Sequence, residues 1–137
     1  MGGVLTGSAE FIKQARRYKH LFGGALRQAG IVAAACIYAL EHHVERLRDD
    51  HAHAQQLAEG LQAIPGVRVE TPIETNMVFF DTSGAGMPPT AFLDAIQQQG
   101  VRMGLVGPRI RAVTHLDISR PAIETAITVA GRVLQQR

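Results

Sequence analysis

The sequence predicts an α/β chain in two unlike parts: long helices first, then a small α+β unit of order β-β-α-β-β-α. Three observations predict it. Apolar residues recur at helical spacing from about residue 27 to residue 64. From residue 67 onward the pattern changes to short alternating runs separated by Gly and Pro. Two such runs precede an amphipathic stretch and two follow it, and a further amphipathic stretch ends the chain, the order of a small sheet covered by helices on one face.

The opening Gly2-Gly3-Val4-Leu5-Thr6-Gly7 reads as a short buried strand stopped by glycine. Ser8 follows as a helix cap, with Glu10 in the first turn and the basic group Arg16, Arg17, Lys19 and His20 near the C-terminal end, where it suits the helix dipole. Gly23-Gly24 breaks that helix. The second helical region, residues 27–64, carries Ile31, Ala34, Ala35 and Tyr38 on one face, then Val44 and Leu47 after an offset, then Leu57, Leu61 and Ile64. Its length exceeds that of an ordinary globular helix, so it either kinks near Glu41–Val44 or bridges two domains. Pro65-Gly66 closes it.

Val67 to Thr71 alternates as a half-exposed strand, and Asn76 to Phe80 reads as a more buried one. Ser83 to Pro89 is a loop. Thr90 to Gln99 fits a helix with Phe92, Leu93 and Ile96 inward and Gly100 as its stop. Val101–Leu105 and Arg109–His115 are two further strands around a turn at Gly107-Pro108. Asp117 or Ser119 caps the last helix, which has Pro121 in its first turn and Ile123, Ile127, Ala130 and Leu134 on its core face. Residues 1–64 thus hold a strand and long helices but no complete sheet for them to cover, which implies packing surfaces outside this chain.

Composition narrows the function classes. The chain of 137 residues is 46% hydrophobic, with five Phe, two Tyr and no Trp, so its core is aliphatic. Fourteen basic and 12 acidic residues leave a net charge of +2, which by itself recruits neither nucleic acid nor a membrane. The longest apolar helical run, Ala29–Leu40, is too short to span a bilayer, and Met1-Gly2-Gly3 does not open a signal peptide. Cys36, the single cysteine, reads as a small buried residue in a reducing, cytoplasmic setting.

Two stretches could bind an anion. In Gly23-Gly24-Ala25-Leu26-Arg27-Gln28-Ala29-Gly30, paired glycines lead directly into a helix with Arg27 in its first turn, and backbone N–H groups plus a guanidinium suit a phosphate. The plainer alternative is a glycine turn with a surface arginine. In Arg109-Ile110-Arg111-Ala112-Val113-Thr114-His115, strand alternation puts Ile110, Ala112 and Thr114 on one face and Arg109, Arg111, Val113 and His115 on the other. Arg111 then offers a fork of donors to a carboxylate, or is an ordinary solvent-facing arginine. The histidines at 42, 43, 51 and 53 do not read as a metal site: His43 and His51 stand about 12 Å apart along a helix, and Asp49 with His53 gives only two ligands. The Arg16-Arg17-Tyr18-Lys19-His20 cluster is one helical turn without a nucleic-acid-binding module around it.

Three ordered runs resemble a known family. Tyr18-Lys19-His20-Leu21-Phe22-Gly23-Gly24-Ala25-Leu26-Arg27-Gln28-Ala29-Gly30, Tyr38-Ala39-Leu40-Glu41-His42-His43-Val44-Glu45-Arg46-Leu47 and Arg111-Ala112-Val113-Thr114-His115-Leu116-Asp117 resemble low-specificity L-threonine aldolases, pyridoxal-5′-phosphate (PLP) lyases grouped with the aromatic amino-acid β-eliminating lyases. The resemblance runs the whole chain in order. It implies the C-terminal portion of an aspartate-aminotransferase-like fold: residues 1–26 as the remnant of the large PLP-binding domain, 27–64 as an interdomain helical region and 65–137 as the small domain. It implies cleavage of L-threonine or L-allo-threonine to glycine and acetaldehyde, with PLP as electron sink on a lysine Schiff base. It assigns Arg111 to the substrate α-carboxylate and Arg27 to the neighbourhood of the cofactor phosphate. It also implies homo-oligomers.

The departures bear on function. The family's PLP lysine belongs to a Ser-Lys-Gly segment just ahead of the strand that Gly2-Gly3-Val4-Leu5 resembles, and the stacking histidine, the aspartate facing the pyridine nitrogen and the phosphate loop lie further upstream. Lys13 and Lys19, the only lysines, match other positions. The expectation is therefore a substrate-gripping portion that neither holds PLP nor catalyses alone. The alternatives are an interaction or regulatory module that pairs with aldolase subunits, and a small α+β domain that binds amino acids.

Overall fold

The computed structural model describes residues 3–135, which fall into two compact units, residues 3–46 and 47–135.

In the first unit, residues 3–8 carry no regular structure, and α1 spans Ala9–Leu21. The expected opening strand is not there: Val4 and Leu5 are exposed (63% and 62%), and Gly2 lies outside the described residues. A strand needs a ladder partner for its backbone, and among the described residues none pairs with this segment. Ser8 caps α1 as expected, its Oγ accepting from the Phe11 N–H at 3.2 Å. At the other end the Gly23 N–H donates to the His20 carbonyl and the Gly24 N–H to the Lys19 carbonyl, with Gly23 at φ +75. This reverse turn satisfies two of the helix's last carbonyls and requires a residue at ease in the left-handed region.

The helix α2 spans Gly30–His42, later than the sequence suggested. Residues 24–26 are irregular, Arg27–Ala29 form a turn with Gln28 at φ +53, and the cap position Ala29 offers no side-chain hydrogen bond. Arg27 thus precedes the helix instead of standing in its first turn. The paired glycines finish α1 and do not start α2. None of the residues of α1 or α2 is buried, and α2 is apolar on every side, without the single face expected around Ile31 and Tyr38. Cys36 is accordingly half-buried, not enclosed.

The second unit begins with α3, Leu47–Gln62. The helical region 27–64 is therefore two helices with a turn at residues 43–46, close to the predicted kink, and α3 packs with the C-terminal unit. The strands β1 (Arg68–Val69), β2 (Met77–Asp81), β3 (Gly104–Val106) and β4 (Arg109–Val113) form one antiparallel sheet in the order β1-β2-β4-β3. The helices α4 (Pro89–Gln98) and α5 (Arg120–Gln135) join α3 against one face of it.

Strand β1 is shorter than its alternating pattern because it lies at the edge. There the Gln62 side chain substitutes for a neighbouring strand, its amide oxygen accepting from the Val69 N–H at 3.1 Å. Strand β3 begins at Gly104, where the chain meets Arg111; Val101 and Met103 pack partly against the core before it. The inner face follows the alternation: Val78, Phe80, Ile110, Ala112 and Thr114 are buried beneath Leu57, Leu61, Phe92, Ile96 and Ile123. Phe80 and Phe92 meet edge to face at 6.0 Å. Ser119, of the two proposed caps, accepts from the Ala122 N–H. The core face of α5 is wider than expected, with Ala126, Val129 and Val133 buried as well, while Ile127 is only half-buried and packs closely on Gly60 of α3. Thr114 fixes the end of β4 to the start of α3 by donating from Oγ1 to the Asp50 carbonyl at 2.7 Å.

Candidate functional site

The outer face of the sheet carries the charged side chains that the sequence placed there. Strand pairing sets them in rows. Arg68 on β1 faces Asp81 on β2. In the next row Phe79 on β2 faces Arg111 on β4, which faces Gly104 on β3. Arg109, two residues before Arg111, lies over the Phe79 ring at 4.8 Å from its centroid. Its Nη1 reaches across β2 to both carboxylate oxygens of Glu70, at 2.8 and 3.1 Å.

The charges on this face do not cancel. Glu70 is engaged by Arg109. Asp81 accepts from the Ser83 hydroxyl at 2.8 Å and the Ser83 N–H at 3.1 Å. Those hydrogen bonds, with smaller contributions from a Thr82 backbone hydrogen bond and the Arg68 charge, hold its carboxyl below the usual aspartate pKa although burial opposes them. Arg68 acts on Asp81 only through its charge, and Arg111 is left over: among the described residues neither guanidinium makes a hydrogen bond or ion pair. Gly104 opposite it has no side chain, and a Cβ there would meet nothing nearer than the Arg111 carbonyl at 3.9 Å. An unpaired guanidinium with open space beside it can bind an anion, and its planar fork matches a carboxylate.

An open recess lined by Arg68, Glu70, Asp81, Ser83, Pro89 and Leu105 lies on this unit, but Arg111 is not among its lining residues. Arg111 therefore stands on an uncovered sheet face. His115, just past β4, is exposed and turned to Asp117, 3.6 Å from its Oδ2.

In the first unit Arg27 occupies the exposed turn before α2 and, among the described residues, has no partner. His20 is engaged locally, its Nδ1 2.8 Å from the Arg16 carbonyl. His42 stacks on Tyr38 at 4.1 Å, with His43 edge-on to the same ring. Among the described residues no group of three His, Cys, Asp or Glu side chains is arranged to hold a metal. Among the described residues no helix is long and apolar enough to cross a membrane.

The family called Beta-eliminating lyase matches residues 1–83. The chain belongs to that family. Its relatives among curated proteins include the low specificity L-threonine aldolase of Escherichia coli K12, 39% identical over 120 residues that cover 88% of this chain and 34% of the relative. Low-specificity L-threonine aldolase 1 of Arabidopsis thaliana is 35% identical over 123 residues, 87% of this chain and 34% of the relative. The probable low-specificity L-threonine aldolase of Schizosaccharomyces pombe is 31% identical over all 137 residues and 34% of its own length. The chain spans about a third of the length of these relatives.

A beta-eliminating lyase of this kind implies PLP. The described residues do not by themselves fit it. Covalent attachment needs a lysine amine kept neutral by burial or a nearby cation, and Lys13 and Lys19 both stand exposed on α1. Among the described residues Arg27 and Arg111 have no side-chain hydrogen bond or ion pair, and each guanidinium is able to bind an anionic group.

The Glu70–Arg109 pair went unseen in the sequence. Its partners are 39 residues apart and meet only because β1 and β4 flank β2. Alternation placed Arg109 on the outer face but could not supply the strand order.

Proposed function

We infer that this chain is the C-terminal, substrate-gripping portion of a PLP-dependent L-threonine aldolase with an aspartate-aminotransferase-like fold. In that role residues 1–26 belong to the large cofactor domain, the helices after them join the domains, and the sheet with its helices is the small domain. Arg111 binds the α-carboxylate of L-threonine or L-allo-threonine and so fixes the direction of the Cα–Cβ bond, which is catalysis by positioning. Arg27 serves the cofactor phosphate, in a site completed by another subunit. Cleavage to glycine and acetaldehyde draws its electron sink and its lysine from outside these residues, and no bond-breaking step is assigned to this chain.

The observation that carries the reading is the unpaired Arg111 guanidinium on the open sheet face, in a chain about a third as long as the threonine aldolases it matches. The test is a hybrid in which this chain replaces the matching third of the E. coli relative. An active hybrid whose kcat/KM falls about a hundredfold with Arg111→Gln, as expected for losing one partner of a buried charge pair, supports the reading. A hybrid indifferent to that change refutes it. The isolated chain, mixed with PLP and threonine, is expected to give no borohydride-reducible chromophore and to release no acetaldehyde.

A second reading is favoured by the first unit, where Ile31, Ile37, Tyr38 and Leu40 are all exposed. The chain would then act as a cytoplasmic module that associates with itself or with aldolase subunits, without nucleic acid or membrane as partner. Sedimentation of the chain with and without a complete aldolase tests it, and a monomer in both cases counts against it.

A further inference from the structure

Arg109 and Arg111 are two residues apart on β4 and share its outer face, so their backbone positions lie about 7 Å apart. One of these guanidinia is occupied and the other is not. Arg109 lies on the Phe79 ring at 4.8 Å and donates to both oxygens of Glu70. Phe79 faces Arg111 directly across the β2–β4 pair. The Glu70–Arg109 bridge therefore passes over the residue beside the free guanidinium and ties back the only other arginine of β4. Without Glu70, Arg109 is released from that bridge, and together with Arg111 it could grip two carboxylates of one molecule.

We propose that Glu70 is a specificity-determining residue: by holding Arg109 over Phe79 it leaves β4 with one free guanidinium, which selects a substrate with a single carboxylate over a dicarboxylic amino acid. The inference rests on the reading of Arg111 as the carboxylate grip. Glu70 acts through Arg109 and touches no substrate. It also adds repulsion, because its own charge stands where a second carboxylate would have to bind. Glu70 and Arg109 are both about half exposed, so the discrimination is modest, of the size that one solvent-screened ion pair supplies.

The test uses the intact 137-residue chain, labelled for NMR of the arginine Nε–H groups, and titrates acetate and succinate as probes. In the unaltered chain Arg111 responds to both and Arg109 to neither. In Glu70→Gln the succinate affinity rises about three- to fivefold relative to acetate, and Arg109 joins the response. In Glu70→Gln with Arg109→Gln the ratio returns to its starting value, which a general loosening of the sheet would not produce. An unchanged ratio in Glu70→Gln, or a gain that persists in the double variant, overturns the proposal while leaving the carboxylate grip intact. An Arg111 that responds to neither probe overturns the grip, and the proposal falls with it.

Discussion

The Arg109 guanidinium and the Glu70 carboxylate meet at 2.8 Å across an intervening strand, with the Phe79 ring beneath the arginine. This bridge ties the edge strand β1 to β4 through side chains as well as through β2. It is half exposed, so its worth comes as much from covering Phe79 as from charge.

Replacing Arg109 by Ala removes the cation–π contact and the ion pair together. The expected cost is about 1 kcal/mol, read as a fall in Tm of about 4–8 °C for a unit of this size. Raising the salt concentration should narrow the difference, because the exposed pair is screened.

Asp81 gives a pH prediction. Its folded pKa is lowered, so its contribution to stability is present above the unfolded carboxylate value and is lost as pH falls through the folded one. Ser83→Ala removes the largest cause. The Asp81 carboxyl should then titrate at higher pH by NMR, and acid unfolding should begin earlier; an unmoved titration would mean that the Ser83 hydroxyl does not hold the charged form.

Thr114 joins the sheet to α3. Thr114→Val keeps the shape of the side chain but leaves the buried Asp50 carbonyl without its 2.7 Å donor. A loss of about 1–3 kcal/mol in denaturant unfolding is expected, with amide exchange speeding up first near the start of α3.

Phe92 is fully buried against Phe80. Phe92→Ala should cost about 3–5 kcal/mol, from lost transfer energy and the cavity left behind. On a unit of this size that consumes much of the total stability, so urea midpoints should show it plainly.

How far the sequence disclosed all this depends on the range of the signal. The C-terminal unit was legible because period-two alternation and helical spacing are local: Ile110, Ala112 and Thr114 are buried, as their positions on β4 require. Arg111 was placed on the open face by the same rule. The strand order and the Glu70 bridge were not legible, since they depend on which strands pair across 39 residues. The first unit was read less well. Val4 and Leu5 look like a buried strand because they are apolar, but apolarity reports what a segment needs, not whether a neighbour is present to supply it. Gly23-Gly24 was read both as the break of the first helix and as the lead into the next; its hydrogen bonds bear out the first, while α2 starts only at Gly30.

The helix α2 has a consequence for how mutations would register along it. An amphipathic helix states its own rotation, because only one side can face a core. From Gly30 to His42 this helix favours no side, so its azimuth is dictated entirely by whatever surface it meets. A scan of polar substitutions through α2 should then show no helical rhythm of sensitivity in the isolated chain. A rhythm that emerges only in a larger assembly would be the imprint of the surrounding surface.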